Sequence, residues 1–383
     1  MALPPEFLAQ LRQILPADAI RDDPADCWPY GYDNSKRHAP PEAVAFPASH
    51  DDVLALVRLC NQHRVALTPR GRGTGTTGAV VPTQGGLVMS LERMNRILEL
   101  SPDNRYAVVE PGLTNQALQD ALKPLGFFWP PDPTSAAYCS IGGNLAYNSA
   151  GPRAVKYGTP RDNIFGLRGV TGDGRELRCG VYTSKGVVGL DLTRLIVGSE
   201  GTLAIITAAT LKLTPLPQAT RTLRAVYASV DAAACAIARL MAQPLTPCAL
   251  EFMDANAINM IRQYSDVALP QHAGALLMIE VDGPEASLDA AAEAIETAAR
   301  VDGLLEFSAA RNAEEVAALW RTRKALSPAL RKVAPGKINE DVVVPVSALP
   351  ALITGLNALS QRHGLPIVNF GHAGNGNIHV NLL

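Results

Sequence analysis

The stretch RGRGTGTTG, Arg70 to Gly78, follows a short β-type run, VALTPR, and poses the first choice of fold. Gly73, Gly75 and Gly78 spell GxGxxG, the spacing of a dinucleotide-binding turn. That turn needs a strand before it and a helix after it, so that a pyrophosphate rests on the helix N-terminus. The strand is present. The helix is not: the chain continues AVVPTQGG, where Pro82 and the pair Gly85-Gly86 prevent a helix of useful length. A doubly wound nicotinamide-binding reading therefore fails. The composition still suits an anion. Glycines let consecutive backbone N–H groups turn inward without a helix dipole, and Thr74, Thr76 and Thr77 add hydroxyl donors. Taken alone, an ordinary glycine turn explains the stretch equally well.

Two further segments shift that balance. PDPTSAAYCSIGGNLAYNSAG, Pro131 to Gly151, is too long for a simple turn and reads as a loop of small residues and side-chain amides. Such residues suit close approach of backbone to a large polar ligand. DLTRLIVGSEGTLAIITAATLKL, Asp191 to Leu213, places Gly198, Ser199, Glu200, Gly201 and Thr202 as a polar hinge before a strand.

The chain has 383 residues, enough for two or three domains, with 47% hydrophobic residues and a net charge of −2. No Lys/Arg run stands out, which argues against nucleic acid as a partner. No uninterrupted apolar stretch of about 18 residues occurs, so no membrane span is expected. The N-terminus lacks the charged start and apolar block of a secretion signal. Six cysteines are scattered without a CxxC pair, which predicts buried free thiols rather than a disulfide framework or zinc finger.

A Pro-rich break, TPLPQ (Thr214 to Gln218), separates two styles of sequence. Before it, the spacing predicts a helix opened by a Ser49/Asp52 capping box, strands at VALTPR and GGLVMSL, a helix from a Thr114 cap to a Gly126 stop, and a hairpin turning at Asp173-Gly174. After it, strands are predicted at 223–227, 249–253, 275–281 and 341–344. Helices are predicted at 231–242, 284–301, 313–330 and 347–363. The pattern suits an α+β fold, with helices packed on one face of a sheet. The boundaries expected are 1–217 and 218–383.

Near the end stands IVNFGHAGNGNIHVNLL, read as strand, tight turn, strand. Two such strands can bring His372 and His379 together on one face, a common start for a Zn²⁺ or Fe²⁺ site. Two polar residues beside a glycine turn is the plainer reading. Upstream, ALWRTRKALSPAL carries Arg321 and Arg323, and a guanidinium fork fits a carboxylate in two parallel bonds. A solvated helix face explains them as well. Trp320 reads as core.

In the order RGRGTGTTG, CSIGGNLAYNSAG, VGSEGTLAIIT and GHAGNGNIH, the chain resembles the FAD-linked D-2-hydroxyacid dehydrogenases of the vanillyl-alcohol-oxidase (PCMH-type) fold. That family includes D-lactate dehydrogenases, the glycolate oxidase flavin subunit and D-2-hydroxyglutarate dehydrogenase. The resemblance implies a PCMH-type FAD-binding domain over 1–217 and a substrate or cap domain with an antiparallel sheet covered by helices over 218–383. It implies noncovalent FAD, since no histidine stands in the corresponding loops. The pyrophosphate loop would be Pro69, Arg70, Gly71, Gly73, Thr74, Gly75, Thr76, Thr77 and Gly78. The second segment would line the flavin and pyrophosphate through Pro133, Ser140, Ile141, Gly142, Gly143, Asn144, Asn148 and Gly151. Tyr157 and Gly158 follow these, and Glu200, Gly201 and Ile206 would lie on the adenine and ribose side.

The same resemblance implies a divalent metal (Zn, Fe or Mn) on His372 and His379, with Asn381 meeting the substrate. It implies Arg321 as carboxylate anchor, with Lys337 and Asn339 near the same pocket; some relatives carry lysine at the position of Asn339. A third metal ligand and a base histidine are expected in a Gly-Glu-His segment that does not occur before Leu383, so the C-terminal end reads as missing. The activity implied is oxidation of a small D-2-hydroxy acid, D-lactate or glycolate first, with electrons passed to a quinone, cytochrome or other carrier. A homodimer or a subunit of a complex is implied, cytoplasmic or peripheral at the inner face of the membrane. The rival is a catalytically inactive FAD-binding fragment or non-catalytic subunit. An aromatic-alcohol oxidase on the same fold ranks last, given 5% aromatic residues.

Overall fold

The computed structural model of the chain describes residues 3–264, 269–334 and 336–383. Two compact units emerge: Met1–Ala150 with Gly158–Leu216, and Gly151–Tyr157 with Pro217–Leu383.

The first unit begins with α1 (Pro5–Ile14), β1 (Ile20–Arg21), α2 (Pro24–Cys27), β2 (Ala43–Ala45), α3 (His50–His63), β3 (Leu67–Arg70) and β4 (Leu87–Ser90). These make a four-stranded sheet in the order β1-β2-β4-β3, with β2, β4 and β3 parallel. The predicted capping box opens α3: Ser49 Oγ accepts from Asp52 N at 3.1 Å, and Asp52 Oδ2 accepts from Ser49 N at 3.1 Å. Its apolar stripe, Val53, Leu56, Val57 and Cys60, packs with Val44, Val88 and Met89 of the sheet.

The chain continues through β5 (Ile97–Ser101), β6 (Tyr106–Val109), α4 (Asn115–Leu122), β7 (Phe127–Phe128), α5 (Ile141–Tyr147), α6 (Ala154–Tyr157), β8 (Ile164–Thr171), β9 (Glu176–Gly180), α7 (Leu192–Ile196), β10 (Ala204–Lys212) and β11 (Thr214–Pro215). Of these, α6 belongs to the second unit. An antiparallel sheet runs β5-β6-β10-β8-β9. The β8–β9 hairpin turns at Gly174, whose φ of +76° suits glycine.

One local expectation fails here. Residues 131–151 read as loop, yet Ile141–Tyr147 is helical. Gly142 and Gly143 are poor helix formers, but Ile141 and Leu145 are buried in the core with Trp129 and Ile206. Ser140 caps the start through its Oγ, and Asn148 closes the end in the left-handed region. Packing and caps outweigh propensity over so short a helix.

The second unit carries β12 (Ala219–Tyr227), α8 (Val230–Ala242), β13 (Ala249–Asp254), α9 (Ala255–Tyr264), β14 (Ala275–Gly283), α10 (Leu288–Ala299), β15 (Leu304–Ala309), α11 (Ala313–Val333), β16 (Ile338–Val343), α12 (Leu349–His363), β17 (Ile367–His372) and β18 (Asn377–Leu382). The seven strands form one antiparallel sheet, β15-β12-β14-β13-β17-β18-β16. Side chains alternate between its faces. Leu223, Leu250, Phe252, Leu277, Ile279 and Ile378 pack with α8, α10 and α12. Val226, Met253, Leu276, Met278, Val368 and Phe370 pack with α9 and α11. Helices thus cover both faces, not the one face expected. The run ALLMIEV in β14 is buried throughout, which a strand covered on one side does not require.

All six cysteines are free; Cys27, Cys60, Cys139 and Cys248 are buried, whereas Cys179 is half-buried and Cys235 exposed on α8. Among the described residues no helix is long and apolar enough to cross a membrane.

Phe252 is 3% exposed and sits at the centre of the α8/α12 side of the sheet. Phe252→Ala is expected to cost about 3–5 kcal/mol, read from urea unfolding by circular dichroism. Val343→Ala, at an exposed edge position, is expected to stay within about 0.5 kcal/mol. Equal effects of the two would contradict this packing.

Candidate functional site

In the first unit three segments close on one cleft: the loop after β3, the first turn of α5, and the turn between α7 and β10. The space between these segments is about 970 Å³, part of it open solvent. Pro69, Arg70, Gly71, Gly73, Thr74 and Gly75 line it from the first segment. Ser140, Gly142, Gly143 and Asn144 line it from the second, and Glu200, Gly201 and Ile206 from the third.

The loop is set up to receive an anion. Among the described residues no protein acceptor meets the backbone N–H groups of Arg72 through Thr76. Asn34 takes the carbonyls on that stretch: its Nδ2 donates to Thr74 O at 3.1 Å and its N to Gly75 O at 2.9 Å. Arg70 lies beneath the turn. Its guanidinium donates to Tyr32 O at 2.8 Å and Pro29 O at 3.3 Å, and fills the space a side chain at Gly73 would need. Burial lowers the pKa of Arg70, with Asp33 opposing that shift. A guanidinium nonetheless stays charged, so a fixed positive charge supports a row of unspent donors. Such a row is an anion nest without a helix.

Close packing explains two more residues. A Cβ on Gly142 would lie 2.5 Å from Pro111 Cβ. Tyr147 fills the space beside Gly75, and its hydroxyl lies 2.5 Å from Thr77 Oγ1, which also donates to Glu200 Oε2 at 3.3 Å. Tyr147 and Ser135 line the cleft and were missed in sequence, whereas Ser199, also lining it, was named in the polar hinge. An aromatic ring set among glycines and amides was the available signal for Tyr147.

Other expected cofactor residues take supporting places. Gly78 N donates to Asp33 Oδ2 at 2.9 Å. Ile141 is core, and Asn148 Oδ1 accepts from Arg161 N at 3.0 Å. Pro133 closes a turn through its carbonyl, and Gly158 adopts φ +78°. Thr76 is exposed and contributes its backbone N–H. Gly151 and Tyr157 fall in the second unit, where the Tyr157 hydroxyl donates to Asp282 Oδ2 at 2.7 Å.

In the second unit a polar cluster forms on the α9/α11 face of the sheet. Glu251 on β13 stands opposite His372 on β17, and His379 on β18 stands opposite both Phe370 and Asp341. The two imidazoles lie 5.1 Å apart between ring centroids, nearly perpendicular. His372 Nδ1 bonds Glu251 Oε1, and His379 Nδ1 bonds Asp341 Oδ1. Each Nε2 has no hydrogen-bond partner among the described residues. Arg323 reaches in from α11, donating from Nε to Glu251 Oε2 at 2.7 Å, with its guanidinium carbon 4.6 Å from the Phe370 ring centroid.

Burial alone would raise the pKa of Glu251. Arg323 and His372 outweigh it and hold the carboxyl at about 2. Partial desolvation also opposes ionisation of Asp341, an exposed edge-strand residue, but the bond and charge of His379 leave its pKa lowered. Both imidazoles therefore face ionised carboxylates.

Arg321 does not join this cluster; its side chain is exposed. Residues two apart on a helix point about 200° apart, so only one of Arg321 and Arg323 can face the sheet. Arg323 does so in line with Leu319, Leu326 and Leu330. Lys337 and Asn381 are brought together, Nζ donating to Asn381 Oδ1 at 2.6 Å. Asn381 is fully buried, and its Nδ2 bonds Val368 O and His379 O. Trp320 donates from Nε1 to buried Glu280 at 2.6 Å. Sequence reasoning missed Glu251. A lone acid inside the apolar strand ALEFMD was its signal, because a buried charge requires a partner.

Two family signatures match the chain: FAD binding domain over residues 41–180, and FAD linked oxidases, C-terminal domain, over residues 216–383. The glycolate oxidase subunit GlcD of Bacillus subtilis (strain 168) is 38% identical over 371 residues, 97% of this chain and 79% of its own. A D-2-hydroxyglutarate dehydrogenase of Xanthomonas citri pv. viticola is 35% identical, over 98% of this chain and 80% of its own. Among solved structures, an alkyldihydroxyacetonephosphate synthase superposes with a TM-score of 0.82 at 21% identity, covering 99% of this chain and 76% of its own. That likeness bears on fold alone. An α+β chain with a PCMH-type unit, a glycine-loop anion cradle and an imidazole–guanidinium cluster is an FAD-dependent oxidoreductase. The chain belongs to the FAD-linked D-2-hydroxyacid dehydrogenase family.

Gly142→Val would press a branched side chain onto Pro111 and push the first turn of α5 into the cleft. Overpacking of about 1–3 kcal/mol corresponds to roughly 5- to 150-fold weaker FAD binding. Flavin absorbance per protein after gel filtration measures this, and full retention would contradict the placement of the cradle.

Proposed function

We infer that the protein oxidises a small D-2-hydroxy acid to the 2-oxo acid, with D-lactate and glycolate favoured over D-2-hydroxyglutarate. The observation that carries this reading is the set of unspent atoms on the second unit's sheet. Arg323 is 11% exposed at its side chain, yet its two terminal nitrogens have no hydrogen-bond partner among the described residues. Beside it, two imidazoles present Nε2.

A 2-hydroxy acid offers a carboxylate and a hydroxyl on adjacent carbons. Arg323 takes the carboxylate in two parallel charge-assisted bonds. The hydroxyl meets His372 or His379, whose Nε2 accepts its proton while the C–O bond becomes a carbonyl. FAD, which the first unit's cradle would hold, would supply the hydride acceptor for this oxidation. Lys337 and Asn381 fix β16 to β18 at the edge of the cluster.

His372 and His379 are also the two donors that the family resemblance assigns to a divalent metal. Among the described residues no group of three or more such donors is gathered. A resident metal of this kind takes at least three protein ligands, so no step is routed through one.

Electrons leave to a quinone, a cytochrome or another carrier. The Bacillus relative is a glycolate oxidase subunit, which favours a complex with other chains over a self-sufficient oxidase. A non-catalytic flavin subunit is the second reading. It gives no reason for a buried Glu–Arg pair whose outer nitrogens stay open.

Turnover with D-lactate and an artificial dye acceptor tests the assignment. Arg323→Met is expected to lower kcat/KM by at least about 100-fold, the loss of roughly 3 kcal/mol from a truncated charge pair. Arg321→Met is expected to change it by about twofold or less, as for an exposed surface substitution. The opposite ranking would restore Arg321 as anchor.

A further inference from the structure

We propose that Glu251 is a positioning residue that binds His372 and Arg323 into one fixed unit, so that carboxylate and hydroxyl recognition are set by a single buried side chain. The inference rests on the functional reading above and adds a residue to it.

Glu251 is 1% exposed, on β13 next to the β17 strand of the His372–His379 hairpin, and directly opposite His372. Each carboxylate oxygen has its own partner: Oε2 takes Arg323 Nε at 2.7 Å and Oε1 takes His372 Nδ1. An ionised carboxylate only accepts hydrogen bonds. In the neutral ring this bond places the proton of His372 on Nδ1 and makes Nε2 the acceptor. This is how a carboxylate partner fixes the tautomer and ring direction of a working imidazole.

The same contact acts on the arginine. With Nε tied to Glu251 and one face of the guanidinium against Phe370, rotation about its end is restrained. The terminal nitrogens then stay presented as a fork.

His379 has a similar partner in Asp341, but the two arrangements are not equivalent. The Asp341 side chain is 56% exposed and has no arginine on it. Glu251 is 2% exposed at its side chain and touches both kinds of recognition group. A glutamine at 251 would offer one acceptor and one donor, and could not accept from both neighbours.

The test uses holoprotein labelled with ¹⁵N-histidine and compared with Glu251→Gln. Long-range ¹H–¹⁵N spectra are expected to show His372 protonated at Nδ1 in the wild type, and a mixed or reversed tautomer in the variant. Flavin content should be unchanged, because the cradle lies in the other unit. With D-lactate and a dye acceptor, kcat/KM should fall about 10- to 100-fold. Glu251→Asp, which keeps the charge but falls one methylene short of Arg323, should raise KM more than it lowers kcat.

An unchanged His372 spectrum in folded Glu251→Gln overturns the proposal whatever the activity. Should that variant fail to fold, a wild-type KM in Glu251→Asp overturns it instead. A wild type inert to D-lactate and glycolate would remove the functional reading, while the imidazole spectra would still decide the role of Glu251.

Discussion

Five consecutive backbone N–H groups, Arg72 through Thr76, have no acceptor within the described protein, and much of the first unit is arranged around them. A loop can leave donors unspent if water or an anion satisfies them. Here the neighbouring carbonyls are tied to Asn34, and a buried arginine lies underneath. Without a helix dipole the loop needs other walls. α5 supplies one through the close approach of Gly142 to Pro111, and the turn before β10 supplies another through Glu200 and Gly201. Three segments far apart in sequence thus meet on one cleft.

The second unit follows a different constraint. The central strands of its sheet are covered by helices on both faces, so polar residues there are buried whichever way they point. Each must be satisfied in place. Glu251 is satisfied by Arg323 and His372, and Glu280 by Thr222 and Trp320. The functional cluster is thus continuous with the packing of α11 on the sheet. The atoms left over, two imidazole Nε2 atoms and a guanidinium edge, are the ones the proposed recognition of a hydroxy acid uses.

Much of this was legible in the sequence, and the misses have physical causes. The α3 capping box, the Asp173-Gly174 hairpin and the β17–β18 pair all appear where local rules place them. The histidine pair was readable because strand–turn–strand with a period of two carries both to one face. α5 was not, because two glycines hide a helix that packing stabilises. Arg321 was preferred to Arg323 on the motif alone. The spacing of Leu319, Arg323, Leu326 and Leu330 marks the sheet-facing stripe and would have reversed that choice. The second layer of helices was missed because a fully apolar strand was not taken as evidence for two covered faces.

The account stands on hydride transfer from a hydroxy acid to FAD in this chain. Rapid anaerobic mixing of the holoprotein with D-lactate, against D-lactate deuterated at C2, tests it most directly. The account predicts bleaching of the oxidised flavin band, slower with the deuterated acid. A band that persists with both acids at saturating concentration would contradict it.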